Sequence, residues 1–185
     1  MYRAGRDEEP MNALQRMKAV EDRLTAVLSP EGFRAINPQP LQGRIVTGWE
    51  RVSAWRRDRL EVSYAKRDPR SFSADVIIEI GPIEGEYVLI DKRPLGEILQ
   101  RDESRYTLPG GLLSFGLGRF LDHLAEEITA MLPWMDNMYG TQEVTVARLT
   151  TEQRKYPEPG SRDYRQALAF LMTRPGIVLE SKPTS

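Results

Sequence analysis

The sequence predicts an α+β domain, an antiparallel meander sheet of about four strands packed by helices from the N-terminal and C-terminal parts of the chain. Three observations carry this. Between Arg44 and Asp91 successive runs alternate apolar and polar residues with period two, separated by short turn-forming stretches. Such short connections permit only antiparallel neighbours, because a parallel pair needs a crossover of about a dozen residues or more. On either side of this stretch the apolar residues recur at helical spacing, which supplies cover for one face of the sheet.

The elements follow in chain order. Residues 1–9 are polar and are expected to be loose. Leu14, Met17, Leu24, Val27 and Leu28 share a stripe that predicts a helix from Pro10 to Leu28. Proline suits its first turn, and Asp7, Glu8 and Glu9 put negative charge at its positive end. Ser29-Pro30-Glu31-Gly32 stops it, Phe33 anchors the chain on the core, and Asn37-Pro38-Gln39-Pro40 reads as a loop. A first strand runs from Ile45 to Ala54, with Trp49 and Trp55 on the parity of Ile45. Leu60, Val62 and Tyr64, alternating with Arg59, Glu61 and Ser63, mark the second. After the polar turn at 66–71, Phe72, Ala74, Val76, Ile78 and Ile80 line a central third strand. The turn Gly81-Pro82-Ile83-Glu84-Gly85 leads to a fourth, Tyr87 to Ile90.

A short helix is expected over Pro94 to Gln100, then a loop containing Arg105 to Pro109 and Gly110-Gly111. Leu117, Phe120, Leu121, Leu124, Ala125, Ile128, Met131 and Leu132 form an unbroken helical stripe that Pro133 should end. Arg119, Asp122, His123, Glu126 and Glu127 fall on its opposite, wet face. Val144 and Val146 suggest a short strand, and Thr150-x-x-Gln153 a capping box for a brief helix. Residues 156–160 read as a linker. Ser161 caps a last helix with Tyr164, Ala167, Leu168, Leu171 and Met172 on one side, closed by Pro175-Gly176. The expected organisation is a loose segment 1–9, an α+β domain 10–150, a helical extension 151–176 that docks on the domain or serves a partner, and a tail 177–185.

Composition narrows the function classes. A length of 185 residues suits one domain with a substantial core, and 40% hydrophobic with 29% charged residues is ordinary for a soluble protein. No apolar run approaches the roughly 20 residues that span a bilayer, so no membrane partner is expected. The first ten residues lack the apolar core of a secretory signal, and a cytoplasmic location is expected. With no cysteine there is no disulfide framework, thiolate metal site or cysteine nucleophile. A net charge of −1 argues against a dedicated nucleic-acid binder, whose footprint is strongly basic.

Three groups of residues bear on chemistry. His123, the sole histidine, forms an i, i+3, i+4 set with Glu126 and Glu127 that could hold a metal or exchange protons. It sits on the polar side of its helix with no second histidine, so a solvated surface is the reading adopted, with no catalytic residue, metal site or cofactor assigned. The glycines Gly110, Gly111, Gly116 and Gly118 precede a helix, where phosphate loops occur, but they match neither the P-loop nor the dinucleotide spacing. The third group is Arg51, Arg56, Arg57 and Arg59 interleaved with Trp49 and Trp55. Guanidinium stacks on indole and pairs with phosphate or carboxylate, so such a patch suits an acidic protein surface or single-stranded nucleic acid. The competing reading makes Trp49 and Trp55 core residues and the arginines part of a general arginine bias. The hairpin that follows is acidic, through Asp75, Glu79, Glu84, Glu86 and Asp91, and one basic stretch beside one acidic stretch fits charge-steered protein association.

The long N-terminal helix, the stop Leu28-x-x-x-Gly32-Phe33 and the strand entering at Trp49-Glu50-Arg51 resemble small uncharacterised bacterial proteins, some of immunity-protein type. The resemblance covers about residues 11–132. It implies neutralisation of a toxin by binding and assigns no site residues. The expectation is therefore a non-enzymatic protein-binding protein with binding residues Trp49, Arg51, Trp55, Arg56, Arg57 and Arg59. Nucleic acid or a phosphorylated ligand on the same patch is the alternative.

Overall fold

The computed structural model describes residues 12–101, 105–109, 115–155 and 162–174. Helix α1 (Ala13–Leu28) comes first, followed by strands β1 (Arg34–Leu41), β2 (Arg44–Val52), β3 (Arg56–Ala65), β4 (Asp68–Ile83) and β5 (Glu86–Pro94). A single helical turn α2 (Leu95–Ile98) and a short strand β6 (Arg105–Thr107) lead to helices α3 (Phe115–Tyr139), α4 (Gln142–Lys155) and α5 (Arg162–Thr173). The strands form one antiparallel sheet in the order β1-β2-β3-β4-β5, with β6 beside the start of β4. The α+β class and the antiparallel meander hold, but among the described residues the sheet has six strands, more than the expected number of about four.

The two additional strands escape the sequence pattern for different reasons. β1 contains the supposed loop Asn37-Pro38-Gln39-Pro40; it lies at the sheet edge, where proline's missing N–H is tolerated, and its register shifts between Ile36 and Gln39. β6 is three residues long, too short to display alternation, and pairs Tyr106 with Phe72. The hairpin turns are tight. Gln42-Gly43 and Glu84-Gly85 both take positive φ at both residues, the geometry whose twist matches that of the flanking strands. The turn expected from Gly81 is consequently shorter, with 81–83 still in β4.

All the helices used in the core lie on one side of the sheet. Leu60, Val62, Tyr64, Phe72, Ala74, Val76, Ile78 and Ile80 point there, against Met17, Val20, Leu24 and Leu28 of α1 and Leu124, Ile128, Met131 and Met135 of α3. Each fully buried Leu or Ile contributes about 1.5–3 kcal/mol. α1 begins at Ala13 rather than Pro10, because Asn12 and Gln15 form a reciprocal capping box. Pro10 and the acidic residues before it lie outside the described residues. Leu14 falls off the buried stripe, at 56% exposure, and Val20 takes its place at the core. Gly32, at φ 84, ends the helical turn that follows α1 and seats Phe33 in the core.

Three expectations about the C-terminal part are overturned. α3 runs through Pro133 to Tyr139, since Met135 and Tyr139 continue its buried stripe and offset one missing hydrogen bond. It ends at Gly140, where any side chain would collide with the Asp136 carbonyl. Val144 and Val146 belong to helix α4, not to a strand; the Thr141 hydroxyl accepts from the Val144 N–H and caps it. Thr150 and Gln153 are thus inside α4 rather than at the start of a helix. Residue 150, the expected domain limit, falls within the same helix. α5 buries Ala167 and Leu171 in the common core, and Gln142 donates to the Leu171 carbonyl. The 156–160 linker, the Ser161 cap and the tail lie outside the described residues. Among the described residues no helix is long and apolar enough to cross a membrane.

Candidate functional site

Strand alternation separates the Arg/Trp set into two groups on opposite faces of the sheet. Trp49 pairs with Leu60 and Arg51 with Asp58, so both point towards the helices. Trp49 is buried, its indole N–H donating to the Thr25 hydroxyl at 2.9 Å. Trp55 is buried in the bend between β2 and β3, with the Arg56 guanidinium 5.7 Å from its ring centre. Neither indole is offered to a base or to a partner. Arg56 is also buried. It donates to Asp58 Oδ2 at 2.8 Å, to Asp136 at 3.3 Å and to the Tyr139 carbonyl. Arg51 reaches the same Asp58 oxygen at 2.8 Å and Asp136 at 2.9 Å, and lies over the Phe33 ring. Burial opposes the charge of Arg51, but Asp58 and Asp136 outweigh it and hold its pKa above the usual value. This cluster ties the end of α3 to the sheet.

Arg57 and Arg59 point the other way, onto the face that no helix covers among the described residues. Arg57 donates to Glu79 at 2.5 Å and stacks on Tyr87 at 4.2 Å. Arg59 pairs with Glu61 at 2.7 Å and lies 3.7 Å from Glu79. Lys92 of β5 lies 3.5 Å from Asp75 of β4. Beneath this ladder Ile77, flanked in register by Arg59 and Lys92, is only 2% exposed. Gly48 lies on the same face, and a side chain there would press on Ile36. Val52 and Leu89 are exposed apolar residues at its borders.

A second site forms where β6 meets α3. Glu127, placed on the wet face by the sequence pattern, is buried at 8% exposure. It accepts from the Tyr106 hydroxyl at 2.8 Å and from Arg101 Nη1 at 3.1 Å. His123 Nε2 lies 3.3 Å from it, while the ring stays largely in solvent, its side chain 66% exposed. Burial, then the bond to Glu127, pushes the Tyr106 hydroxyl pKa well up, so this proton stays on at any ordinary pH. Beside the cluster is a cavity of about 230 Å³ lined by Arg101, Arg105, Tyr106, Thr107, Phe120, His123 and Leu124.

Comparison with protein-family models, with curated proteins and with solved structures gives no match for this chain. The geometry alone must therefore carry the function. Among the described residues no group of three or more His, Asp or Glu side chains could hold a metal ion. Gly116 and Gly118 are in the first turn of α3, and the loop before them lies outside the described residues. A wider, open groove of about 770 Å³ runs between α1 and α3, spanned by the exposed pair Arg23–Asp122 at 2.8 Å.

Two carboxylates named in the sequence, Glu127 and Asp91, turn out to anchor polar networks that the sequence pattern did not place, although a signal is present. Glu127 is three residues after Leu124 and seven after Phe120, which places it at the edge of the buried stripe. Asp91 receives the Tyr139 hydroxyl at 2.6 Å and Arg93 at 3.1 Å, with Arg148 donating to that same hydroxyl at 2.8 Å. This second polar network joins β5 to α3 and α4. Burial and then Asp91 push the Tyr139 pKa well up.

Proposed function

We propose that the chain is a non-enzymatic protein-binding protein whose partner is a protein held on the open face of the sheet. One observation carries the reading: a five-strand face, uncovered by any helix among the described residues, presents guanidinium and carboxylate groups fixed in mutual pairs. The pairing leaves the face nearly balanced in charge, with Arg57, Arg59 and Lys92 set against Glu61, Asp75 and Glu79. A polyanion gains little from such a surface, whereas a protein partner can exchange these pairs for its own and read their pattern. Five strands about 4.8 Å apart, with about eight residues each at about 3.3 Å, offer roughly 600 Å² of flat face. That approaches the roughly 800 Å² per partner of a standard interface. Neutralising a toxin in a bacterial cytoplasm, as the resemblance at Trp49-Glu50-Arg51 implies, is one form of such binding.

The test is a capture from native lysate by the wild-type chain and by a variant carrying Arg59→Glu and Lys92→Glu. The expected result is a protein retained by the wild type, lost by the variant, and re-forming a salt-sensitive one-to-one complex from purified components. Retention of that protein by the variant, or a wild type that re-forms no complex, overturns the proposal.

A further inference from the structure

We propose that the cavity between β6 and α3 is a binding site for a small organic acid, a carboxylate carried on an apolar body. Its floor is aromatic. Tyr106 stacks on Phe72 with ring centres 5.0 Å apart, and Phe120 meets both rings edge-on at 6.2 and 6.4 Å. Its rim is cationic. Among the described residues Arg105 has no carboxylate partner and donates one hydrogen bond of 3.2 Å, to the Ser71 hydroxyl. Arg101 lies over the Tyr106 ring at 4.7 Å and holds Glu127 through Nη1 alone, which leaves its remaining donors for a ligand.

Buried Glu127 is the organising group. By fixing Arg101 and the Tyr106 hydroxyl together it presets the floor and one side of the rim before any ligand arrives, which lowers the cost of ordering them on binding. Its charge is met by Arg101, so among the described residues the unmatched charge at the rim is that of Arg105. A carboxylate fits the two guanidinium forks, and its apolar body fits against Tyr106, Phe120 and Leu124. The volume sets the size class. About 230 Å³ is below the range of about 300–1,000 Å³ for pockets that take drug-sized molecules, so the ligand is a single ring or short chain. This site shares no residue with the open sheet face, and each can fail without the other.

Sodium benzoate is the probe, titrated into the full chain by amide NMR with inorganic phosphate as the contrast. Benzoate is expected to bind in the low-millimolar range and to shift the signals of Tyr106, Thr107 and His123 first. Arg105→Ala, an exposed change that leaves the core intact, should weaken it about tenfold or more, the loss expected for charge-assisted bonds. Phe120→Ala should weaken benzoate while leaving the response to phosphate unchanged. No saturable binding of benzoate, binding indifferent to Arg105→Ala, or phosphate binding as tightly as benzoate would each overturn the proposal.

Discussion

Arg56 lies under the helices, where it and Arg51 close on one oxygen of Asp58, whereas Arg57, the next residue, lies on the bare face against Glu79. Both pairs are short and both hold arginine to a carboxylate. They differ in what surrounds them. In the inner cluster Arg56 and Asp58 are buried beneath α3, Asp58 almost wholly and with its second oxygen, Oδ1, accepting no bond, while Asp136 at its rim stays half exposed. In the outer pair Glu79 is also mostly hidden, and it is Arg57, about a quarter exposed, that meets water. The inner cluster therefore serves as a structural joint that fails if its buried Asp58 is removed, and the outer ladder as a surface whose cationic ends can be exchanged singly.

The largest expected effect tests the inner side. Asp58→Ala leaves Arg51 and Arg56 facing each other with only Asp136 between them. Removing one member of a buried ion cluster costs about 3–5 kcal/mol, read as a fall in the urea midpoint at unchanged slope. A cost below that of an outer-face variant would erase the distinction between the faces.

A middle-sized effect sharpens the comparison without charges. Ile77 and Ile78 are adjacent and almost equally hidden, but Ile78 packs beneath the helices while Ile77 is shielded by the flanking Arg59 and Lys92. Ile78→Ala should cost about 2–5 kcal/mol, because packed neighbours cannot close the cavity. Ile77→Ala should cost about 1–2 kcal/mol, since flexible stems can settle over the gap. Equal costs in thermal unfolding would mean that the outer face is covered as firmly as the inner.

The splitting of the Arg/Trp set was legible in the sequence. The alternation that sends Leu60, Val62 and Tyr64 inward, extended four residues upstream, also sends Asp58 and Arg56 inward and Arg57 and Arg59 outward. Reading the six residues as one patch ignores that rule. The central strands and the stripe of α3 were readable because their burial is one-sided and long. What escaped is what tertiary contact decides. Pro133 stops a helix only if nothing beyond it is buried, and Met135 and Tyr139 are; Val144 and Val146 favour a strand only until the Thr141 cap starts a helix. The cavity at β6 combines residues from α3 with a strand too short to announce itself, so neither half pointed to the other.

The smallest expected effect is the most demanding of the open-face reading. Arg57→Ala removes a pair with Glu79 and a stack on Tyr87. Burial opposes the charge of Arg57, yet Glu79 raises its pKa above the usual value, so the guanidinium is charged throughout the working range. In a partly wetted pair that preference converts poorly into stability, about 0.2–1 kcal/mol. Glu79 also keeps Arg59 at 3.7 Å when Arg57 is gone. A double-mutant cycle of Arg57→Ala with Glu79→Ala should therefore give a coupling below about 1 kcal/mol, smaller still at high salt, where exposed charges are screened within about 3 Å. A coupling above about 3 kcal/mol that ignored salt would be the signature of a desolvated pair. The face would then be electrostatically interior, with no exchangeable charges to offer a partner.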